Sequence, residues 1–453
     1  MDNSNSLKLK DYLFSNRQLA ALILPIVIER LLDVSVGFAD TLMVATVGEA
    51  AVSAISLVDS INNLFLFLFS ALATGGAVVV AQYIGQKNYE DGSESAKQLI
   101  YTTLGISLIF GLVFILLNKK ILYLLYGNIE HSIMAQSQTY FALTALSYPL
   151  LGLFNSGAAL FRAMGNSRLS MRVAFIMTLL NIVGNAILIY GAKLGVFGAG
   201  LATLVARLVG ALIMVLFLVK NKKVLVITNI FRVKLNFPII KKILNIGVPN
   251  AVESGMFHIG KILVQSLTAT LGTAALAANA IVNAIASATN IPGVSIGMAT
   301  ITVIGQSMGA REPTQAVYYA HKLMKIAYVT MAVLAALLFV FAAPLVSLFN
   351  LSNDASQLAV SVLQILLVAS AILWPVSFTL PNVLRASGDV KFTMIVSITS
   401  MWLFRVGLSY ILVRFLNLGL HGIWLAMYID WLFRSGNFLV RFSKGDWKNR
   451  VIV

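Results

Sequence analysis

Twelve apolar runs, separated by short polar breaks, limit what this chain of 453 residues can fold into. They lie near 18–46, 51–85, 95–118, 131–161, 170–192, 195–219, 243–271, 275–307, 315–349, 355–384, 392–413 and 418–440. About 20 consecutive apolar residues suffice to cross the hydrocarbon core of a bilayer. A spanning segment must also satisfy its own backbone N–H and C=O groups, so runs of this length predict an all-α polytopic membrane protein in contact with the lipid bilayer. Charged residues make up only 11% of the chain, against about 25% in a typical soluble domain. The first eighteen residues are polar and mixed in charge, and no small-residue cleavage site follows, so no cleaved signal peptide is expected. Cysteine is absent, which excludes disulfides, thiolate metal sites and thiol redox chemistry.

The formal charge of +16 raises nucleic acid as a partner, but the distribution of the basic residues points elsewhere. Twelve spans put both termini on one side. Of the 33 Lys and Arg residues, 24 fall at the ends and loops on that side, and 4 (Lys119, Lys120, Lys193 and Arg414) on the other. The remaining five, Arg30, Arg207, Lys261, Arg405 and Arg434, fall within spans. By the positive-inside rule both termini are cytoplasmic. The densest basic segment, Lys220 to Lys242, has seven basic residues and no acid, which suits a linker lying on anionic headgroups.

That linker divides two copies of one sequence. A shift of 224 residues brings Pro25 onto Pro249, Glu29 onto Glu253 and ATVGEAAVSAI (45–55) onto ATLGTAALAAN (269–279). The same shift brings AQYIGQK (81–87) onto GQSMGAR (305–311) and LGVFGAGLA (194–202) onto LGLHGIWLA (418–426). Arg162 and Gly165 match Arg385 and Gly388 at a shift of 223. Several matches in one order indicate a duplication. The expected organisation is an N-lobe over 1–220, a basic linker over 221–242 and a C-lobe over 243–453, each lobe holding six spans. Six is an even number, so the halves enter the membrane in the same direction. They are then related by a pseudo-two-fold axis along the membrane normal, with the central path between them.

The first span carries Glu29, Asp33 and Asp40. At 100° per residue, Asp33 lies about 40° and Asp40 about 20° from Glu29, so the three acids form one stripe roughly 16 Å long. Ionisable groups at membrane depth face a cavity, find a partner or mark a functional site. Glu29 has Arg30, or a basic residue on another helix, as a candidate structural partner. In the repeat, Asp33 and Asp40 become Phe257 and Val264, so the C-lobe keeps Glu253 alone, with Lys261 or His258 as candidate partners. Asp430 and Arg434, four residues apart, read as a local ion pair. Asp59, Asn62 and Asn63, with Asn155, Asn279 and Asn283, are candidate cleft residues, helix-to-helix hydrogen bonding being the competing role. No catalytic constellation is visible: the four His are scattered, and neither HExxH nor GxSxG occurs. The Gly and Ala runs at 73–77 and 274–280 suit close helix packing.

The LPxxxE opening, Asp40 in FADTLMVATVG, the AQYIGQK and GQSMGAR repeats, and FRAMGNSR and LRASGDVK resemble the multidrug and toxic compound extrusion (MATE) transporters over essentially the whole chain. The resemblance implies two six-helix lobes around a central cleft in the inner (plasma) membrane, a monomer, and no enzyme activity. It further implies export of drugs, cationic amphipathic small molecules above all, in exchange for H⁺ or Na⁺ and without any other cofactor. In prokaryotic members a cation site uses an Asp of the first helix, an Asn and an Asp four apart on the fifth, and a Thr on the sixth. These positions are Asp40, Asn181, Asn185 and Thr203 here. Asn185 departs from the acid of the pattern, which leaves one definite carboxylate and favours H⁺ over Na⁺, with no metal beyond that possible Na⁺. Pro25 matches a proline at which the first helix bends in some members, and is the candidate hinge. Two rivals stand beside this reading. A flippase for lipid-linked saccharides or lipids would need a strongly basic cleft, and a membrane-embedded enzyme would need a clustered catalytic set.

Overall fold

The apolar runs fold as helices throughout a computed structural model that describes residues 12–127, 129–221, 224–227, 230, 232–450 and 452–453. Lys222 and Lys223, two of the basic linker residues, lie outside the described residues. The first half contains α1 (Asn16–Ala45), α2 (Glu49–Gly85), α3 (Tyr89–Tyr126), α4 (His131–Leu146), α5 (Tyr148–Ala163), α6 (Ser167–Asn185) and α7 (Gly195–Lys220). The second half contains α8 (Phe237–Ala269), α9 (Thr273–Thr289), α10 (Ile291–Gly309), α11 (Pro313–Val340), α12 (Ala342–Ser347), α13 (Asn353–Trp374), α14 (Pro381–Ala386), α15 (Val390–Ser400), α16 (Ser409–Arg414) and α17 (Gly419–Lys444). No strand occurs among the described residues.

Six runs read as single spans are interrupted. The run at 131–161 breaks at Ser147, and that at 275–307 breaks at Asn290. In each case a proline, Pro149 or Pro292, follows two residues later and withholds an N–H from the ladder. The run at 315–349 divides into α11 and α12 at Phe341. Those at 355–384 and 392–413 pass through π-helical turns, Pro375–Thr379 and Met401–Leu408, as α6 does at Ala186–Gly191. Pro25 and Pro249, by contrast, lie inside unbroken helices. Among the described residues, eight segments are long and apolar enough to span on length and composition alone. The helices α1, α8 and α17 spend part of that length on charged and polar residues instead.

The duplication is written into the backbone. Left-handed φ values recur in pairs: Gly48 and Gly272, Lys87 and Arg311, Lys193 and Asn417, and Gly195 and Gly419 at a shift of 224. Gly127 and Asn350, and Gly165 and Gly388, repeat at 223. At Lys87 (φ 61°) and Arg311 (φ 58°) non-glycine residues adopt a conformation that L side chains rarely take, and both copies do so just past the end of the equivalent helix.

The halves meet through α1, α2, α8 and α10. At the end bearing the termini the contact is self-complementary. A Cβ on Gly85 would sit 2.0 Å from the Gln306 carbonyl oxygen, and one on Gly309 would sit 2.0 Å from that of Gln82. Gln82 donates to the Ala386 carbonyl (2.9 Å) and Gln306 to the Ala163 carbonyl (2.7 Å). Thus the AQYIGQK and GQSMGAR motifs are the two halves of one seal, in which glycine is required for backbone to touch backbone. Further along, Gly75 abuts Gly247, and Phe67 stacks on His258 with ring centroids 4.3 Å apart. Beyond that stack polar side chains become exposed, among them Asn63 and Lys261. The lobes are therefore closed at the terminus-bearing end and parted toward the other.

Candidate functional site

The acidic stripe faces away from lipid. The exposed apolar residues of α1, Leu24, Ile28, Leu31, Val34 and Leu42, centre on one side, and Glu29, Asp33 and Asp40 lie about 150–170° from that centre. Along that stripe the three acids meet three different environments.

Asp40 turns into the N-lobe, where α6 and α7 bring Asn181, Asn185 and Thr203 beside it. Asn185 Nδ2 donates to Asp40 Oδ1 (2.6 Å) and lies 3.4 Å from Asn181 Oδ1. Asn181 Nδ2 donates to Thr203 Oγ1 (3.2 Å), which in turn donates to the Ala199 carbonyl. All four residues form one chain of oxygens and amides. Asn185 Oδ1 is buried and takes no donor among the described residues, which leaves one acceptor of this amide unused. The i, i+4 spacing of Asn181 and Asn185 sets the two amides one above the other on a helix face, and the short side chain of Thr203 fits between. A single carboxylate among neutral oxygens can take up a proton, and affinity for a hard cation rises with the number of charged ligands.

Glu29 is held elsewhere. It is 4% exposed, and its carboxylate accepts from Arg162 Nη1 (3.2 Å) and Ser170 Oγ (2.9 Å). Arg30 is not its partner: that guanidinium pairs with Asp33 at 3.0 Å and reaches Met298 Sδ of the C-lobe. Adjacent residues of a helix point about 100° apart, so Arg30 reaches the acid three positions on more readily than its own neighbour. The same arrangement recurs in the second half. Glu253 Oε1 accepts from Arg385 Nη2 (2.6 Å), with Arg434 Nη2 at 3.5 Å, so its partners are neither Lys261 nor His258. Glu29–Arg162 and Glu253–Arg385 are thus repeat-related pairs. Nor do Asp430 and Arg434 form the local pair their spacing indicated. Asp430 pairs with Arg405 (2.9 Å) and accepts from Ser400 Oγ, while Arg434 turns to Glu253 and Ser397 Oγ.

The candidate cleft residues divide. Asn62 donates to Asp59 Oδ1 (3.2 Å) and accepts from Tyr148 OH (2.9 Å), and Tyr140 OH also reaches Asp59 (3.4 Å). Asn279 donates to Gln265 Oε1 and accepts from Trp424 Nε1. Asn62 and Asn279 therefore bind helices together within their lobes. Asn63 and Asn283 are exposed, and Asn155 Nδ2 is buried with no partner among the described residues. Sequence reasoning missed Arg207, whose charge reaches both Asp40 and Asp59 and whose Nη1 donates to Ser147 Oγ (2.6 Å). Its signal was present: Arg207 is the sole charge in the sixth apolar run.

Two repeats of six spans, a cleft open at one end and ionisable groups at membrane depth define a membrane transporter built from parallel repeats. The chain belongs to the MatE family, whose model matches residues 25–187 and 249–411, two stretches offset by the 224 residues of the internal repeat. It is 28% identical over 441 residues to the uncharacterized transporter YisQ of Bacillus subtilis, covering 95% of this chain and 93% of the relative. It is 25% identical over 450 residues (96% and 94%) to the probable multidrug resistance protein NorM of Thermotoga maritima. Among solved structures, the outward-facing conformation of a multidrug resistance MATE family transporter superposes with a TM-score of 0.88 at 22% identity, covering 94% and 95% of the two chains. A MOP superfamily transporter from Pyrococcus furiosus gives 0.88 at 22% identity over 96% of each.

Proposed function

We propose that this protein exports drug-like organic cations from the cytoplasm in exchange for H⁺, by alternating closure of the two ends of the cleft. The observation that carries the reading is the Asp40 cluster, a lone carboxylate hydrogen-bonded to Asn185 inside the N-lobe. A proton bound there neutralises the cluster, and its loss restores a negative charge beside the cleft. Ion and substrate then favour different packings of the lobes, which is the differential affinity that coupling requires. Relatives named as multidrug resistance proteins support an efflux role. In proteoliposomes, an imposed H⁺ gradient should drive uptake or release of a fluorescent cation such as ethidium, and an Na⁺ gradient at constant pH should not. Strict Na⁺ dependence would contradict H⁺ as the coupling ion.

The cluster also predicts how the ion could be changed. Asn185→Asp adds a second carboxylate four residues from Asn181, and Na⁺ should then stimulate transport where it did not before. An unchanged Na⁺ response would remove Asn185 from the account of ion choice.

Orientation follows from the basic bias. Single cysteines replacing Lys220 and Lys119, both exposed, should react with an impermeant thiol reagent from opposite sides of intact cells, Lys119→Cys from outside. Labelling of both from outside would reverse or break the topology.

A further inference from the structure

The linker between the lobes is fastened to the N-lobe by side chains of α3. Gln98, fully buried, donates from Nε2 to the Lys234 carbonyl (2.7 Å) and accepts at Oε1 from the Asn236 N–H (3.1 Å). Tyr101 OH donates to the Ile230 carbonyl (2.8 Å), and Ser93 Oγ accepts from the Val226 N–H (2.9 Å). Leu225, Ile227 and Ile230 are buried. Backbone groups that no helix satisfies are thus taken up by α3, and the linker is fixed in one path just before α8 begins.

That path encloses a pocket of about 640 Å³ between the linker and α3, away from the cleft. One wall is basic, made by Lys97 of α3 and by Arg232 and Lys234. The one acid in the lining, Glu94, pairs with Lys97 (3.1 Å) and accepts from Gln98 (2.7 Å). Arg232 and Lys234 are exposed, and neither pairs with an acid among the described residues. Two positive charges therefore stand in the pocket without a counter-ion. The other wall is apolar, made by Leu235, Phe237 and Pro238. Val233, Leu235 and Phe237 are each more than half exposed, an apolar edge beside the basic residues at the foot of α8. Apolar side chains interleaved with basic ones, beside a tyrosine, suit the boundary between headgroups and hydrocarbon.

We infer that this pocket binds the phosphate group of an anionic phospholipid, with Arg232 and Lys234 holding the charge and Leu235 and Phe237 meeting the upper part of the acyl chains. The occupant is a membrane lipid because the apolar wall continues into the exposed edge, which a free phosphate would leave in water. A diffuse basic surface on headgroups needs no pocket and no buried amide to shape it, whereas this site has both. Since α3 belongs to the N-lobe and α8 to the C-lobe, a bound headgroup touches both lobes. The site stands apart from the export reading and from the choice of coupling ion.

The test is native mass spectrometry of the full-length protein in neutral detergent, with phosphatidylglycerol and phosphatidylcholine of the same acyl chains. The unmutated protein should bind phosphatidylglycerol the more tightly. Arg232→Gln combined with Lys234→Gln should lower that affinity about tenfold or more and leave phosphatidylcholine binding unchanged. Lys444→Gln combined with Lys448→Gln, which removes two exposed charges from the same end of the molecule, should not lower it. Arg232→Lys combined with Lys234→Arg should retain the preference for phosphatidylglycerol, which separates charge from folding. Equal affinity of the unmutated protein for the two lipids, or an equal loss in the two glutamine double variants, overturns the site. Displacement of phosphatidylglycerol by glycerol 1-phosphate at equal concentration overturns the assignment to a lipid in favour of a free phosphate.

Discussion

Asp40→Asn should reduce gradient-driven efflux to the level of empty vesicles while leaving the protein folded and able to bind substrate. The substitution removes the ionisable group and nearly conserves its size, and an asparagine at 40 can still accept from Asn185 Nδ2. What is lost is the alternation between a neutral and a charged cluster, and without it the ion no longer biases one packing over the other. Glu29 should behave differently. Its carboxylate is tied to Arg162 and Ser170, so Glu29→Gln strands a buried guanidinium and should cost about 3–5 kcal/mol of stability, with residual coupling in whatever protein folds. Thermal unfolding in detergent, beside transport, distinguishes the two outcomes. Normal coupled transport by Asp40→Asn would remove Asp40 from the mechanism.

Gly309→Val should hold the terminus-bearing end open and abolish transport. The first added carbon already meets the Gln82 carbonyl oxygen at 2.0 Å, and that neighbour is backbone, which cannot turn aside. Overpacking of this kind costs about 1–3 kcal/mol or more. The atoms nearest to the added carbon all belong to Gln82 of the other lobe, so the cost falls first on the closed seal. A differential of that size shifts a two-state equilibrium by roughly tenfold or more. A cysteine at Thr74, beneath the seal, should resist an impermeant thiol reagent from that side in the otherwise unmutated protein and react in the Gly309→Val background. Gly85→Val, the repeat-related change, should do the same. Retained protection together with normal transport would mean that this contact is not the seal.

The architecture was legible because it follows from periodicity and duplication. Run lengths gave the spans, and the 224-residue offset gave two lobes, later repeated in the paired backbone conformations at Lys87 and Arg311. Asp40, Asn181, Asn185 and Thr203 could be grouped before the structure because a family pattern joined three helices. Of these four, composition alone marked only Asp40, as one of several charges at membrane depth. The ion pairs were another matter. Arg162 sits 133 positions from Glu29, and no spacing rule on one helix reaches that far. Local rules instead favoured Arg30 for Glu29 and Arg434 for Asp430, and both lost to long-range partners, Arg162 and Arg405. The motif glycines showed the same limit: the sequence marked Gly85 and Gly309 as repeated, and only the packing of one lobe on the other explains why neither can carry a side chain.

The central claim is that substrate and proton exchange at the Asp40 cluster, and proton release on substrate binding measures that exchange without vesicles or gradients. Purified protein in weakly buffered detergent solution is titrated with ethidium while pH is recorded. The account predicts a release of up to about one proton per bound ethidium in the unmutated protein, largest where Asp40 starts out protonated, and none from Asp40→Asn. Ethidium binding with no proton release at any starting pH, or with equal release from both proteins, would contradict it.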